Sequence, residues 1–308
     1  MKVLIFGAGA TGGYFGARLL EAGIDTTFFV RPARAAKLRQ TGLVIRSQYG
    51  DLSLPAPLAT EGAPGGPYDA VILSCKAYDL DAALEALQSA VGPGTMIIPV
   101  LNGMRHMEAI EGCFGAHRTM GGLCLISASL DAEGRILHHN DKHTMVFGER
   151  SGGTSPRAEA LARAMAPANM EFRMSHDIVQ EMWDKWVFLA PLAAVTCLMR
   201  SSVGDVVNAA GPEFALRFLE ECRAVASAQA HPIAETQINW IRTALTNSAS
   251  PIMASMMRDI ERGGQVEADH VIGDMIARGG GGGQLPLMQM AYLHLKAYET
   301  RRARESGL

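Results

Sequence analysis

Three glycines near the start of the chain have the spacing of a phosphate-binding turn. The hexapeptide Gly7-Ala8-Gly9-Ala10-Thr11-Gly12 follows the apolar run VLIF at 3–6 and precedes a helical pattern that ends at Gly23. In this setting the first glycine permits a tight turn, the second lets a pyrophosphate approach the backbone, and the third lets helix and strand pack closely. The positive end of the helix then faces the phosphates. The motif predicts dinucleotide binding, with a purely structural glycine turn as the alternative.

The residue at the end of the second apolar run indicates which dinucleotide binds. An acidic residue at this position would bind the adenosine ribose of NAD, whereas here the run TTFFV at 26–30 is followed by Arg31 and then by Arg34. No carboxylate follows Val30 before Asp51. Because a guanidinium suits a 2′-phosphate, we predict NADPH as the cofactor. The alternative is that both arginines only face solvent.

Two later apolar runs also end in polar residues. The run AVILSC ends at Cys75 and is followed by Lys76, and MIIPVL at 96–101 is followed by Asn102-Gly103. Ligands of open α/β sheets lie beyond the carboxyl ends of the strands, so Lys76 and Asn102 are predicted to contact nicotinamide, ribose or substrate. A lysine that caps a loop and an ordinary Asn-Gly turn are the alternatives.

The elements that would position these residues alternate along the first half of the chain. Predicted strands at 3–6, 26–30, 70–74 and 96–101 are separated by helical patterns such as those at 11–22 and 80–90, which is typical of βαβ units around a parallel sheet. After Gly115 the pattern becomes hairpin-like, and we expect an antiparallel or mixed extension of the sheet. From Ser175 onward helical patterns dominate, so a domain boundary is predicted between 1–174 and 175–308.

Composition excludes several classes of protein. The 308 residues are 48% hydrophobic and 19% charged with a net charge of −3, which suits two well-packed domains and gives no broad attraction to nucleic acid. The cysteines are scattered without a CxxC pair, so neither a disulfide framework nor a zinc ribbon is expected. The apolar run Trp186–Met199 is shorter than the ~20 residues of a spanning helix, and the N-terminus has no signal-peptide pattern. We predict a cytoplasmic protein without a membrane partner; the sequence leaves its oligomeric state open, including a homodimer.

Two further features are interpreted as structural. His138-His139 and His143 lie among strand and turn patterns without a carboxylate or cysteine at ligand spacing, so we expect an exposed hairpin and no metal site. The five consecutive glycines of Gly279–Gly283 follow no strand pattern, and they are predicted to connect two helices.

Taken together, the chain resembles the ketopantoate reductase (2-dehydropantoate 2-reductase) family over almost its whole length. The resemblance rests on motifs in the family's order: the glycine hexapeptide, Lys76, Leu101-Asn102-Gly103-Met104, Glu181-Met182-Trp183-Asp184-Lys185-Trp186, and Ser255-Met256-Met257-Arg258-Asp259-Ile260 followed by Glu267. It implies an N-terminal Rossmann-type doubly wound α/β domain that binds NADP(H) and a C-terminal all-helical domain that binds substrate. The implied activity is the NADPH-dependent reduction of a 2-oxo acid to a 2-hydroxy acid.

The resemblance also implies roles for individual residues. The family's catalytic lysine corresponds to Lys185, its lysine-partner glutamate to Glu267, and its carboxylate-binding serine to Ser255, while Lys76 and Asn102 correspond to groups that contact cofactor and substrate. The chemistry of Lys185 is reasonable by itself: hydride attack on a ketone leaves an alkoxide, and a nearby cation that donates a proton accelerates such a step by typically ~10²–10⁴-fold. Without the resemblance, Lys185 would be interpreted as an ordinary helix lysine.

The chain departs from the family where substrate-binding asparagines are common. The corresponding residues are Leu189 and Ala193, four and eight residues after Lys185 and on the same helical face, together with Val203 and Ile252. Loss of these amides predicts an apolar substrate pocket, because only polar partners select strongly for a substrate hydroxyl. We therefore expect a 2-oxo acid without the hydroxyl of ketopantoate, or a bulkier carbonyl compound.

Two other functions are compatible with the sequence. One is a 3-hydroxy-acid or sugar-acid dehydrogenase with the same two domains. The other is a non-catalytic NADP(H)-binding or sensing protein whose active site has decayed, although the presence of both Lys185 and Glu267 argues against it.

Overall fold

The computed structural model describes residues 1–59, 64–281 and 283–307, and the chain forms two compact units. The first unit comprises Met1–Leu101 and His106–Val179, and the second comprises Asn102–Arg105 and Gln180–Leu308. The division near 180 lies slightly beyond the 174/175 boundary placed from sequence. The reason is local: Ile178 packs so closely on Gly121 and Gly148 of the first unit that a Cβ on either glycine would meet its side chain.

A parallel sheet forms the centre of the first unit, as predicted. Its strand order is β5-β2-β1-β6-β7, and every neighbouring pair is parallel. The strands are β1 (Val3–Phe6), β2 (Thr26–Phe29), β5 (Leu58–Ala59), β6 (Tyr68–Leu73) and β7 (Val91–Pro99). They are connected by α1 (Ala10–Glu21), α2 (Pro32–Thr41) and α3 (Leu80–Ala86), with short 3₁₀ turns at Ala77–Asp79 and Leu87–Ser89.

Both faces of this sheet are buried, which explains why its central strands are continuous apolar runs. Val3 and Ile5 belong to a core cluster that includes Phe15 of α1. Leu4 lies on the opposite face, in a second cluster that includes Leu84 of α3. Helices therefore cover the sheet on both sides, and the Rossmann-type doubly wound prediction is confirmed.

A second sheet replaces the extension that we expected after residue 115. Its order is β10-β9-β3-β4, with β8 paired antiparallel to β9. Its strands are β3 (Leu43–Arg46), β4 (Leu52–Leu54), β8 (Gly121–Leu130), β9 (Ile136–Gly148) and β10 (Glu171–Met174). Helix α4 (Arg105–Phe114) precedes β8, and helix α5 (Pro156–Met165) precedes β10. The hairpin was predicted correctly, and its link to the parallel sheet was predicted in part. Thr119, just before β8, forms a parallel bridge with Ile97 of β7, but the strands of the hairpin belong to the second sheet. Gly122 lies close to the end of β7, where a Cβ would be 2.5 Å from the carbonyl oxygen of Pro99.

The histidines of the β8–β9 hairpin are not all exposed, contrary to expectation. His138 is only 8% exposed, and its Nδ1 lies 2.9 Å from the hydroxyl of Ser47. His143 stacks on Tyr49 at a ring distance of 3.7 Å and lies 3.0 Å from the hydroxyl of Tyr14. The expectation was wrong because Ser47 and Tyr49 cover these histidines of β9. Both residues follow β3, and the sequence did not reveal β3 as a strand. Among the described residues no cluster of histidine, cysteine and carboxylate side chains is suited to a metal ion.

The second unit is built from helices throughout its described part, so the all-helical prediction is confirmed. The helices are α6 (Ile178–Met199), α7 (Val203–Ala210), α8 (Pro212–Ala228), α9 (Glu235–Thr246), α10 (Ser255–Glu261), α11 (Asp274–Arg278) and α12 (Pro286–Ser306). A π-helical turn, Asp269–Gly273, leads directly into α11. The glycine run lies between α11 and α12, and Gly282 within it is outside the described residues.

Helix α6 is long and apolar enough to cross a membrane by length and composition alone. Its most apolar window is 67% buried within the protein, which is the pattern of a core helix. Its apolar composition is therefore explained by packing.

Candidate active site

The glycine turn has the geometry of a phosphate cradle. Gly7 adopts a φ of +98°, which is accessible to glycine at little cost, and α1 then starts at Ala10 with Gly9 as its N-cap. No side chain caps the helix, and its first turn carries no acidic residue. The first amide groups of α1 are therefore available for an anion.

The other two glycines differ in the space around them. A Cβ on Gly12 would overlap the carbonyl oxygen of Gly7 and the hydroxyl of Ser74, so close packing requires glycine there. No described atom lies within 4 Å of a Cβ on Gly9, which is exposed. Gly12 thus serves the fold, whereas Gly9 leaves open the surface that a pyrophosphate would approach.

Ser74 is a part of this turn that sequence reasoning missed. Its hydroxyl lies at the end of β6, 2.9 Å from the carbonyl oxygen of Phe6 and 3.1 Å from that of Gly7. A hydroxyl donor at this place holds the two strand ends together. The available signal was a serine at the end of an otherwise apolar strand pattern.

Arg31 and Arg34 follow β2 but have different surroundings. The Arg31 side chain is 82% exposed, with its guanidinium 3.8 Å from the carboxylate of Asp79. Arg34 donates from Nε to the carbonyl oxygen of Ala8 at 3.0 Å and from Nη1 to that of Gly134 at 3.2 Å, and burial lowers the pKa of its guanidinium below the ordinary value. Arg34 therefore supports the glycine turn, and Arg31 offers the accessible cation.

Lys76 lies at the same edge of the sheet. It is half-buried and lies three residues beyond Leu73, the last residue of β6, and it directly precedes the 3₁₀ turn Ala77–Asp79. Since Asp79 pairs with Arg31, the structure brings the Lys76 turn and Arg31 together at the carboxyl ends of the parallel strands. This is the edge at which such sheets bind ligands.

Lys185 lies in the second unit, on the part of α6 that meets the π-helical turn. Its side chain is half-buried, and the adjacent Trp186 is 1% exposed. The indole nitrogen of Trp186 donates a 2.9 Å hydrogen bond to the carbonyl oxygen of Val271 in the π-helical turn. Glu267 is half-buried just before this turn, and its carbonyl oxygen accepts from the amide of Val271 at 3.0 Å. The segment that carries Glu267 is thereby attached to α6 beside Lys185.

Asn102 belongs to the same unit, although β7 of the first unit precedes it. It is half-buried, and Gly103 after it has a φ of +79°. A Cβ on Gly103 would lie 2.8 Å from the carbonyl oxygen of His270, so this turn packs directly on the π-helical turn. The structure therefore brings the Asn102 turn, the Glu267 segment and the Lys185 region of α6 onto one element.

The remaining predicted substrate residues lie farther along α6 and at the start of α10. Leu189 is half-buried and Ala193 is buried, one and two turns beyond Lys185. Ser255 is exposed at the first position of α10, and the hydroxyl of Thr196 accepts from the amide before it, that of Ala254, at 3.3 Å. This bond attaches the start of α10 to the second half of α6.

Two further positions were expected to have lost amide groups. Val203 is 2% exposed and Ile252 is 43% exposed, and the amide of Val203 donates to the carbonyl oxygen of Ile252 at 3.0 Å. They are therefore neighbours, but one is a core residue and the other faces solvent.

His270 is a buried titratable residue that the sequence did not reveal. It is 6% exposed in the middle of the π-helical turn, and burial lowers the pKa of its imidazole. A single histidine within a helical pattern carries no signal for such a position. π-helical turns are nevertheless frequent at functional sites.

The family of the chain follows from comparison with known sequences. The family "Ketopantoate reductase PanE/ApbA" matches residues 3–152, and its C-terminal counterpart matches residues 177–299. The chain belongs to the ketopantoate reductase family. The resemblance inferred from the motifs is thus confirmed, and the protein is an oxidoreductase of that family.

Individual relatives and a solved structure show how far the likeness extends. The chain is 34% identical to the uncharacterized oxidoreductase YkpB of Bacillus subtilis (strain 168), over 98% of this chain and 100% of that protein. It is 28% identical to a 2-dehydropantoate 2-reductase of Mesorhizobium japonicum, over 88% and 89% of the two chains. The structure of D-mandelate dehydrogenase with NADH and anilino(oxo)acetate has the same fold, with a TM-score of 0.87 at 19% identity and coverage of 98% and 99%.

Proposed function

We propose that this protein reduces a 2-oxo acid to the 2-hydroxy acid with NADPH, acting on 2-dehydropantoate or on a related, more apolar 2-oxo acid. The observation that carries this proposal is the position of the π-helical turn Asp269–Gly273, which contacts both the Asn102–Gly103 turn and α6 beside Lys185. The contacts between the segments that carry the amide of Asn102, the cation of Lys185 and the carboxylate of Glu267 support the proposal. These are the groups that orient and protonate a carbonyl substrate.

The first unit fits an NADPH molecule. Gly9 leaves room for a pyrophosphate, the uncapped start of α1 offers amide donors, and the exposed Arg31 suits a 2′-phosphate. Lys76 at the next strand end would contact the ribose or nicotinamide. When bound, the reduced nicotinamide supplies the hydride for reduction.

In the second unit, Lys185 would donate a proton from Nζ to the oxygen of the substrate carbonyl as negative charge develops there. Glu267 would orient the ammonium group of Lys185. The amide of Asn102 would donate to the substrate, and the hydroxyl of Ser255 would bind the substrate carboxylate. Together these residues would place the carbonyl carbon for attack and exclude other orientations.

Selectivity would come from the face of α6 beyond Lys185. Leu189 and Ala193 carry no hydrogen-bonding side chain, and the same is true of Val203 and Ile252. A pocket lined by Leu189 and Ala193 would leave a substrate hydroxyl without a partner, which costs binding free energy. The proposed preference is therefore for an apolar substituent next to the oxo group.

The boundary at 174/175, a cytoplasmic location and a homodimeric assembly also remain proposals. No two cysteines of the described residues form a disulfide bond, as is usual for proteins of a reducing compartment. Sedimentation analysis of the purified protein would test the assembly.

A substrate panel tests the proposed function. The protein would be assayed with NADPH and with NADH against 2-dehydropantoate and a series of 2-oxo acids with aliphatic or aryl substituents. We expect turnover with NADPH and a higher kcat/KM for the apolar 2-oxo acids. A kcat/KM for 2-dehydropantoate far above the others would contradict the apolar preference.

Two other outcomes would replace the proposed reaction. Binding of NADPH without its oxidation by any carbonyl compound would indicate a sensing protein. Turnover confined to 3-hydroxy acids or sugar acids in the reverse direction would indicate the other dehydrogenase class.

A further inference from the structure

Consecutive residues of the π-helical turn each contact a different element of the second unit. The carboxylate of Asp269 accepts a 2.6 Å hydrogen bond from the hydroxyl of Tyr292 on α12. The carbonyl oxygen of Val271 accepts the indole hydrogen bond of α6. His270 lies between them, against the Asn102–Gly103 turn. The turn is therefore fixed on both sides of His270.

His270 packs closely on Gly103, and there is no room for a side chain at Gly103. A Cβ on Gly103 would lie 2.8 Å from the carbonyl oxygen of His270 and 3.2 Å from its ring Cδ2. The imidazole is 6% exposed, so water has little access to it. A ring that moves toward Gly103 would therefore press against the Asn102–Gly103 turn.

Charged groups on three segments surround the imidazole and act in opposite directions. The carboxylates of Glu267 and of Asp274 on α11 favour its protonated form. Arg105 at the start of α4 and Arg278 on α11 oppose that form. Burial has the largest effect and lowers the pKa, so the ring is neutral at pH 7 and takes a proton only in more acidic solution.

We propose that His270 is a positioning residue whose neutral imidazole supports the Asn102–Gly103 turn, and that its protonation displaces this turn and weakens binding of the 2-oxo acid. A buried imidazolium ion is costly unless water or a carboxylate stabilises its charge, so protonation favours a rearrangement that brings the ring closer to water or to the carboxylates of Glu267 and Asp274. The effect on 2-oxo acid binding rests on the proposed function, whereas the coupling between His270 and the turn does not.

Nuclear magnetic resonance tests the coupling without any need for activity. In the full-length protein, the amide resonance of Gly103 and the ring resonances of His270 would be followed from about pH 8 to about pH 5. We expect both to move with a common midpoint below the ordinary histidine value of ~6.5, and the Gly103 movement to vanish in His270→Phe. A Gly103 resonance that ignores the titration of His270 would overturn the proposal.

Steady-state kinetics test the consequence for substrate. Loss of a hydrogen bond to a charged ligand weakens binding by about tenfold or more, so we expect the KM of the best 2-oxo acid to rise by that factor toward about pH 5. His270→Phe replaces the imidazole by an aromatic ring that cannot be protonated, so the KM of this variant should not depend on pH in this range. His270→Ala should have a raised KM at every pH. The matched control is His143→Phe, which removes a half-buried histidine of the first unit and should keep the wild-type pH dependence.

The two proposals fail in different ways. In one outcome, the wild-type enzyme reduces 2-oxo acids while His270→Phe shows the same rise in KM toward low pH. That result would overturn the role of His270 and leave the proposed function intact. A wild-type protein that reduces no 2-oxo acid would overturn the proposed function alone, and the resonance of Gly103 would still decide whether His270 positions the turn.

Discussion

The indole nitrogen of Trp186 donates a 2.9 Å hydrogen bond to the carbonyl oxygen of Val271. The two residues are 85 positions apart, and their bond joins α6 to the π-helical turn within a buried environment. Lys185 precedes one partner, and Glu267 lies one helical turn before the other. The bond therefore maintains the spacing between the proposed acid and its proposed carboxylate partner.

Trp186→Phe tests the importance of this hydrogen bond. The substitution leaves a buried carbonyl oxygen without a donor, which costs ~1–3 kcal/mol of folding free energy. Displacement of the turn should also lower kcat/KM by about tenfold. Urea unfolding and steady-state kinetics measure the two effects.

The matched control for that prediction is Trp183→Phe. Trp183 is equally buried, stacks on His231 at 5.4 Å and packs on the ring of Trp186 at 5.1 Å, so Trp183→Phe disturbs the same packing but leaves the donor to Val271 in place. Equal losses of kcat/KM in the two variants would show that packing of the helix, and not the hydrogen bond, is what matters.

Lys185→Ala should reduce turnover by ~10²–10⁴-fold, because the alkoxide would lose its proton donor. The dissociation constant of NADPH should stay unchanged, since the cradle lies in the first unit. Lys185→Arg preserves the positive charge but not a readily transferred proton, so its activity should remain low. Turnover of Lys185→Ala within about threefold of wild type in single-turnover assays would assign the lysine a structural role.

The sequence predicted those parts of the fold that are determined by burial. Strands β1, β2, β6 and β7 are apolar because both faces of the parallel sheet are covered, so their positions were evident. Strands β3, β4 and β5 are short and only partly buried, so they left little pattern. The hairpin was evident from its turns, but its pairing with β3 depends on contacts that no local pattern encodes.

The residues of the candidate site also differ in whether their roles depend on neighbours in the sequence or on distant partners. Gly7, Gly9 and Gly12 were predictable because a phosphate cradle needs glycine at fixed spacing within one turn. Ser74 was missed because its role depends on Gly7, 67 residues away in the sequence. His270 was missed for the same reason, since its partner is Gly103. Ser255 and Glu267 were identified only through the family resemblance.

Gly9→Ala and Gly12→Ala form a matched pair that separates binding from folding at the glycine turn. Alanine at Gly9 meets no described atom and should leave the melting temperature unchanged, while its methyl group obstructs the pyrophosphate and weakens NADPH binding by about tenfold or more. Alanine at Gly12 overlaps Gly7 and Ser74 and should destabilise the fold itself. Calorimetry and cofactor titration measure the two effects. Normal NADPH affinity in Gly9→Ala would indicate that the turn is only structural.

Arg31→Ala tests the preference for NADPH over NADH. Loss of a charge-assisted contact to the 2′-phosphate should raise the dissociation constant of NADPH by about tenfold or more and leave that of NADH unchanged. Arg39→Ala removes an exposed arginine within α2, the helix that follows Arg31, and should change neither dissociation constant. Equal weakening of both cofactors by Arg31→Ala would argue against recognition of the 2′-phosphate.

The stability of the protein should fall as the pH decreases below the ordinary histidine pKa of ~6.5. Burial lowers the pKa of His143 and of His270, so the unfolded chain binds protons at these positions before the folded chain does. The free energy of unfolding is therefore highest above ~6.5 and decreases as the pH falls from there through the folded-state pKa values. At His143 the neutral ring also lies 3.0 Å from the hydroxyl of Tyr14, and a protonated Nδ1 could no longer accept that hydrogen bond. His143→Phe should flatten the decrease between about pH 6.5 and pH 5 in urea titrations, even if it lowers stability at every pH, and an unchanged slope would show that His143 does not contribute.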